Sequence, residues 1–261
     1  MIGLIVASLA AIAADNPPPV QPPPSGTWVV DYRTDMCLAT RTFGPATAPV
    51  TLAFKPAMQM DGAGATLYVV TPNKGSNAPR DEAVIVTVLP SGEQKKVNAF
   101  SAVIASGQPA YNISLDGDFM AAMALGKAVT ITVGKSSFPI ATGKIQPVLT
   151  ALAACNADLF RSWGVVDLKA DADLPKSVNP GQWFTNDAWP SEVEIFAKVV
   201  LLLTVAPNGK VSACKAVVSS KNTKIYAAAC NIAKNRGRYV AITGNVDRYS
   251  IISVSWEKKS I

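Results

Sequence analysis

The sequence contains no histidine, and its four cysteines, Cys37, Cys155, Cys214 and Cys230, include no C-x-x-C pair. Zinc sites draw on closely spaced Cys and His, so neither a metal centre nor a histidine-based acid–base pair is expected. Acid is missing from a long stretch: none lies between Glu194 and Asp247, although Lys198, Lys210, Lys215, Lys221, Lys224, Lys234, Arg236 and Arg238 all do. No membrane-length run opens the chain either. The apolar start, MIGLIVASLAAIAA over residues 1–14, falls short of the roughly 20 residues that span a bilayer.

What is present describes a globular chain of short apolar runs. Hydrophobic residues make up 49% and charged residues 16% of 261 residues, enough for two modest cores. Ala11 and Ala13 supply the small residues read by a signal peptidase, so residues 1–13 are expected to be a signal peptide cleaved near Ala13. The segment ahead of the apolar run has no Lys or Arg, and a retained inner-membrane anchor is the alternative. Residues 14–26, which include NPPPVQPPPS, form a stiff proline-rich tether. Export to an oxidising compartment suits an even number of cysteines, with disulfides rather than free or catalytic thiols as their use.

From residue 27 to 169 the chain predicts a β-rich domain, sandwich-like or barrel-like. Strands are expected at 28–32, 36–43, 50–56, 67–72, 82–89, 95–103, 110–115, 128–134 and 137–142, each alternating or β-branched and bounded by Gly, Pro, Asn or Asp. Residues 145–164 switch to helical period, with Val148, Leu152, Cys155, Leu159 and Trp163 on one face and Gly164 as the stop. Of the three pairings four cysteines allow, Cys37 with Cys155 ties an early strand to this closing helix. The polar segment 170–188 reads as a linker. The second unit, 189–261, then reads as an α+β module of order β-β-α-β: strands at 194–205 and 210–220 about a Pro-Asn-Gly turn, a helix at 223–235 and a strand at 248–256. Cys214, Ala216 and Val218 share a strand face, and Ile225, Ala229 and Ile232 make a helical stripe beside Cys230. A helix packed on that face brings Cys214 and Cys230 together.

Residues NPGQWFTNDAWP, LLLTVAPNGKVSACKAVVSS, YAAAC and the closing strand to Trp256 resemble the TonB C-terminal domain family, in particular its two-cysteine periplasmic members. The resemblance covers about 183–256. It rests on Trp183, Thr185 and Trp189-Pro190, on the hairpin Asn208-Gly209-Lys210-Val211-Ser212-Ala213-Cys214, and on Ser219-Ser220 before the helix. Arg238-Tyr239-Val240 departs from it, since the family commonly has an aromatic followed by proline there. The first domain is similar to small exported β-domains of the invasion-associated locus B type, on Trp28, Cys37 and the stretch from Phe138 to Cys155.

The resemblance implies a periplasmic interaction protein, not an enzyme and without a cofactor, that kept the binding module of TonB without its motor. Its partner would be an envelope protein or an outer-membrane receptor segment. Energy transducers of the family couple through a membrane-embedded histidine, which this chain lacks, so a transducer for outer-membrane transport is the alternative. A cell-wall-acting enzyme is a second alternative. The final strand, with Tyr249, Ile251 and Ser253 alternating with Ser250, Ile252 and Val254, is the expected edge for adding an extended peptide or for pairing with a second copy. Lys210, Lys215, Lys221, Lys224, Lys234, Arg236 and Arg238 form the expected basic patch toward an anionic envelope polymer, lipid, lipopolysaccharide or an acidic receptor segment. Export and sparse aromatics argue against nucleic acid.

Three apparent motifs carry no chemistry. Ser212-x-x-Lys215 and Ser255-x-x-Lys258 match a serine–lysine spacing that needs a helical turn, but both fall on predicted strands, where residues three apart face opposite ways. Asp116-Gly117-Asp118 reads as a β-turn, and the following FMAAMAL offers no oxygen ligands for calcium. Asn112-Ile113-Ser114 spells a glycosylation sequon but sits in a strand.

Overall fold

A computed structural model describes residues 26–57, 64–73, 80–165, 175–185, 196–217, 223–241 and 244–257. The expected signal peptide, nearly all of the tether and Lys221 lie outside the described residues.

The first unit is one curled sheet of nine strands: β1 (Val29–Tyr32), β2 (Cys37–Phe43), β3 (Val50–Pro56), β4 (Ala65–Val70), β5 (Arg80–Leu89), β6 (Gln94–Val103), β7 (Pro109–Leu115), β8 (Ala128–Val133) and β9 (Ser136–Ile140). Their spatial order is β1-β2-β3-β4-β7-β6-β5-β8-β9, all neighbours antiparallel. The expected β-rich class is observed, as a single sheet that curls rather than as two stacked ones. Alternation sets which face is buried: Val50, Leu52 and Phe54 of β3, Ala65, Leu67 and Val69 of β4, and Tyr111, Ile113 and Leu115 of β7 lie on the inner face, while the residues between them face outward.

Two helices fill the inner face. Helix α2 (Gln146–Ser162) buries Val148, Leu152, Cys155 and Leu159, with Trp163 just past its end. It packs on β1, β2 and β3, and Cys155 is bonded to Cys37 across a Cα separation of 6.1 Å. Helix α1 (Gly117–Leu125) corrects the sequence reading, which took Asp116-Gly117-Asp118 for a β-turn. Asp116 is its N-cap, with Oδ1 accepting from the Phe119 N–H at 2.9 Å, and the segment buries Phe119, Met120 and Met123. This helix is short and apolar almost all round, so no 3.6-residue period was there to be read.

The second unit has the expected order: β10 (Phe196–Val205), β11 (Val211–Ala216), α3 (Thr223–Arg236) and β12 (Arg248–Glu257). Its sheet runs β11-β10-β12, with β10 central and both partners antiparallel. Cys214 is bonded to Cys230 at a Cα separation of 5.5 Å, joining β11 to α3. The helix presents Ile225, Ala229 and Ala233 to the sheet, while Ile232 of the expected stripe is only partly buried. Gly209 in the hairpin turn has φ +77°, and a Cβ there would collide with the Tyr239 carbonyl.

Strand β10 is apolar without alternation because both of its faces are covered. Val199, Leu201, Leu203 and Val205 face the α3 side. Val200 and Leu202, with Ile251 of β12, join the core of the nine-stranded unit. Part of the segment read as a linker also belongs to the second unit. Residues 176–178 lie antiparallel to 238–240, bridged at Ser177 and Tyr239, and Trp183 is buried in that core.

Candidate functional site

One backbone hydrogen bond sets the polarity of the three-stranded sheet. The Val217 N–H donates to the Val200 carbonyl at 2.9 Å, so Val200 turns both backbone groups toward β11 and Leu201 turns both toward β12. Leu201 pairs with Ile252, Leu203 with Ser250 and Val199 with Val254. The even-numbered residues of β12 therefore bond to β10. Tyr249, Ile251 and Ser253 point their N–H and C=O groups the other way, and among the described residues no strand pairs with that side.

That side of β12 opens on a groove of about 680 Å³. Ile251, Ile252, Ser253 and Val254 form one wall, Trp183 and Phe184 continue it, and the opposite wall is built where β4 begins and β7 passes into α1. A smaller recess of about 160 Å³ adjoins it beneath Ser253 and Val200, against Lys55, Tyr68 and Asn112. The side chains of the edge residues have different environments: Ile251 is buried, Tyr249 half-buried and Ser253 exposed.

The groove is nearly without charge. Asp116 is the charged residue of its lining, and its carboxylate already bonds the Lys95 ammonium and the Phe119 amide, which together hold it below the usual carboxylate range. Such a lining suits an extended main chain with small or apolar side chains. It offers little to a charged small molecule.

The expected basic patch does not form one surface. Lys234 and Arg236 lie in the last turn of α3, Arg238 follows at once, and Lys210 is bridged to Arg238, so these four gather at one end of the unit. Lys224 lies in the first turn of the same helix, about 15 Å away along its axis. Lys215 faces the nine-stranded unit instead, donating from Nζ to the Trp163 carbonyl at 3.3 Å. Ser212 donates to the Thr204 carbonyl at 3.2 Å, so Ser212 and Lys215 do not converge. Lys176, whose carbonyl accepts from the Val240 N–H, joins the basic end and was missed from sequence because it lay in the presumed linker. Trp183, Phe184 and Asp116 were likewise not linked to the β12 edge, since nothing in their spacing places them there.

The cysteines are all consumed in the two disulfides, which fits an exported protein. Among the described residues, no helix is long and apolar enough to cross a membrane.

No protein-family model matches the chain, and a comparison with curated proteins finds no match. Among solved structures the chain is similar to invasion associated protein B from Bartonella henselae, at 13% identity and a TM-score of 0.38, over 50% of this chain and 94% of that one.

Proposed function

We propose that this chain is an exported, non-enzymatic interaction protein that takes up an extended segment of an envelope protein by adding it as a fourth strand beside β12. The observation that carries the reading is the side of β12 with which no described strand pairs, forming the wall of a groove about 680 Å³ in volume whose lining carries little charge. Strand addition draws affinity from main-chain bonds and selectivity from pockets for alternate side chains. Tyr249, Ile251 and Ser253 supply the bonds, and the Trp183–Phe184 wall with the recess under Ser253 supplies the pockets. The order β-β-α-β and the resemblance of 183–256 to TonB C-terminal domains support the same use, in the periplasm and without a proton motor.

Amide hydrogen exchange tests it residue by residue. In the isolated protein the amides of Tyr249, Ile251 and Ser253 should exchange faster than those of Ser250, Ile252 and Val254, which bond to β10. A photocrosslinker at position 253 in intact cells should then capture a segment of another envelope protein, and a synthetic peptide of that segment should slow the odd-numbered amides alone. Protection of those amides in the isolated protein at all concentrations would mean that the edge is already covered. Protection that rises with protein concentration would assign the edge to a second copy.

A further inference from the structure

A second surface, separate from the groove, has a composition of its own. Residues 176–178 pair with 238–240, and Lys210 bridges to Arg238, giving a short ribbon of three segments. Alternation sends Tyr239 into the core, where it is buried, and sends Arg238 and Val240 outward beside Val178 and Lys176. Val178 is 40% and Val240 54% exposed, and Val246, two residues before β12 at the same end of the sheet, is 63% exposed. The outer face of the ribbon is thus valine and cation interleaved.

Its charges are handled differently from those of the rest of the molecule. The described ion pairs, Arg33–Asp31, Arg80–Glu82, Lys95–Asp116 and Arg161–Asp158, all lie in the nine-stranded unit. Lys176, Lys210 and Arg238 have no ion-pair partner among the described residues. A soluble polyanion would satisfy the cations and leave the valines in water. The surface of an anionic bilayer satisfies both, because its phosphates meet the cations while its interfacial zone accepts shallow apolar side chains.

We infer that this ribbon face docks the protein onto a bilayer rich in anionic phospholipid. Ser177, whose side chain alternates to the other side of the ribbon, lines the groove beside β12, so docking through Lys176, Val178, Arg238 and Val240 leaves the groove open. The inference does not depend on strand addition at β12.

Sedimentation of the full chain with vesicles tests it, using phosphatidylglycerol mixed with phosphatidylcholine, and phosphatidylcholine alone as the baseline. Binding should rise with phosphatidylglycerol content and fall as salt is raised. Each cation removed should lower it about fivefold, so Lys176→Ala with Lys210→Ala and Arg238→Ala should lower it on the order of 100-fold. Lys135→Ala with Lys144→Ala, on the nine-stranded unit, should leave it unchanged. Val178→Ser with Val240→Ser should also weaken binding at constant charge. Circular dichroism checks the fold of each variant, and Lys210→Glu alone replaces the triple variant if that one unfolds. No preference for phosphatidylglycerol, or full binding by a folded cation variant, overturns the inference. Loss with the cation variant but none with the valine variant overturns the part of the inference in which the valines enter the bilayer.

Discussion

The Trp183 indole stands edge-on to the Tyr239 ring, with centroids 5.2 Å apart and planes at 65°. Its Nε1–H donates to the Val178 carbonyl at 3.0 Å, so one side chain pins residues 175–185 to the core of the second unit. Trp183→Ala removes a buried aromatic and should cost about 3–5 kcal/mol, read as a lower denaturant midpoint. Trp183→Phe should recover most of that. A loss under about 1 kcal/mol for the alanine variant would detach the segment from the core.

The two crosslinks should differ in weight. In the chain-entropy account the loop between Cys37 and Cys155, a separation of 118 residues, contributes roughly 5 kcal/mol, and the loop between Cys214 and Cys230, a separation of 16, roughly 3 kcal/mol. Replacing each pair with alanine and comparing unfolding free energies measures the difference. Peptide mass mapping without reductant should return only these two linked pairs.

Alkaline pH should act through Tyr239. Burial raises its phenol above the ordinary value, and the hydrogen bond with Ser250, 3.0 Å long, acts the other way. The folded chain therefore holds this proton more tightly than the unfolded chain. Its contribution is complete below about pH 10 and is lost as pH rises through the folded value. Tyr239→Phe should be less stable near neutrality by about 1 kcal/mol, from the lost hydroxyl bond, yet lose stability more slowly above pH 10. Parallel curves for the two proteins would refute the assignment.

Acid should act through Asp116, whose carboxylate is stabilised by Lys95 and by the Phe119 amide at the start of α1. Its pKa is depressed on folding, so this contribution is present above about pH 4 and disappears as pH falls through the folded value. Asp116→Ala should lower the thermal midpoint at pH 7 and by less at pH 2.5. An equal deficit at both would show that the carboxylate charge is not involved.

Much of this architecture could be read from local pattern. Alternation marked 50–56 as a strand, observed as β3, and the 3.6-residue period placed Leu152, Cys155 and Leu159 on one face, which is the buried face of α2. Where a segment carried no period the reading failed, as at α1, whose buried Phe119, Met120 and Met123 sit in an apolar stretch with no polar face to orient it.

The candidate surfaces were less legible, for a related reason. A list of lysines is one-dimensional: Lys224 and Lys234 look alike in sequence but occupy opposite ends of α3, and Lys215 points at the neighbouring unit. Trp183 was visible as a motif residue, yet its position beside β12 depends on a ribbon made by residues more than 50 positions apart, such as Ser177 and Tyr239.

The amino-acid order alone determined the β-rich class, the helix that closes the first unit, the β-β-α-β order of the second and the even use of its sulfurs, because each follows from side-chain period, turn chemistry and cysteine number. Only the tertiary structure decided which backbone groups of β12 face away from β10, what forms the far wall of their groove, and which cations share a face with exposed valines. Those properties depend on the register between strands and on the meeting of two sheets, and neither leaves a periodic mark in the chain.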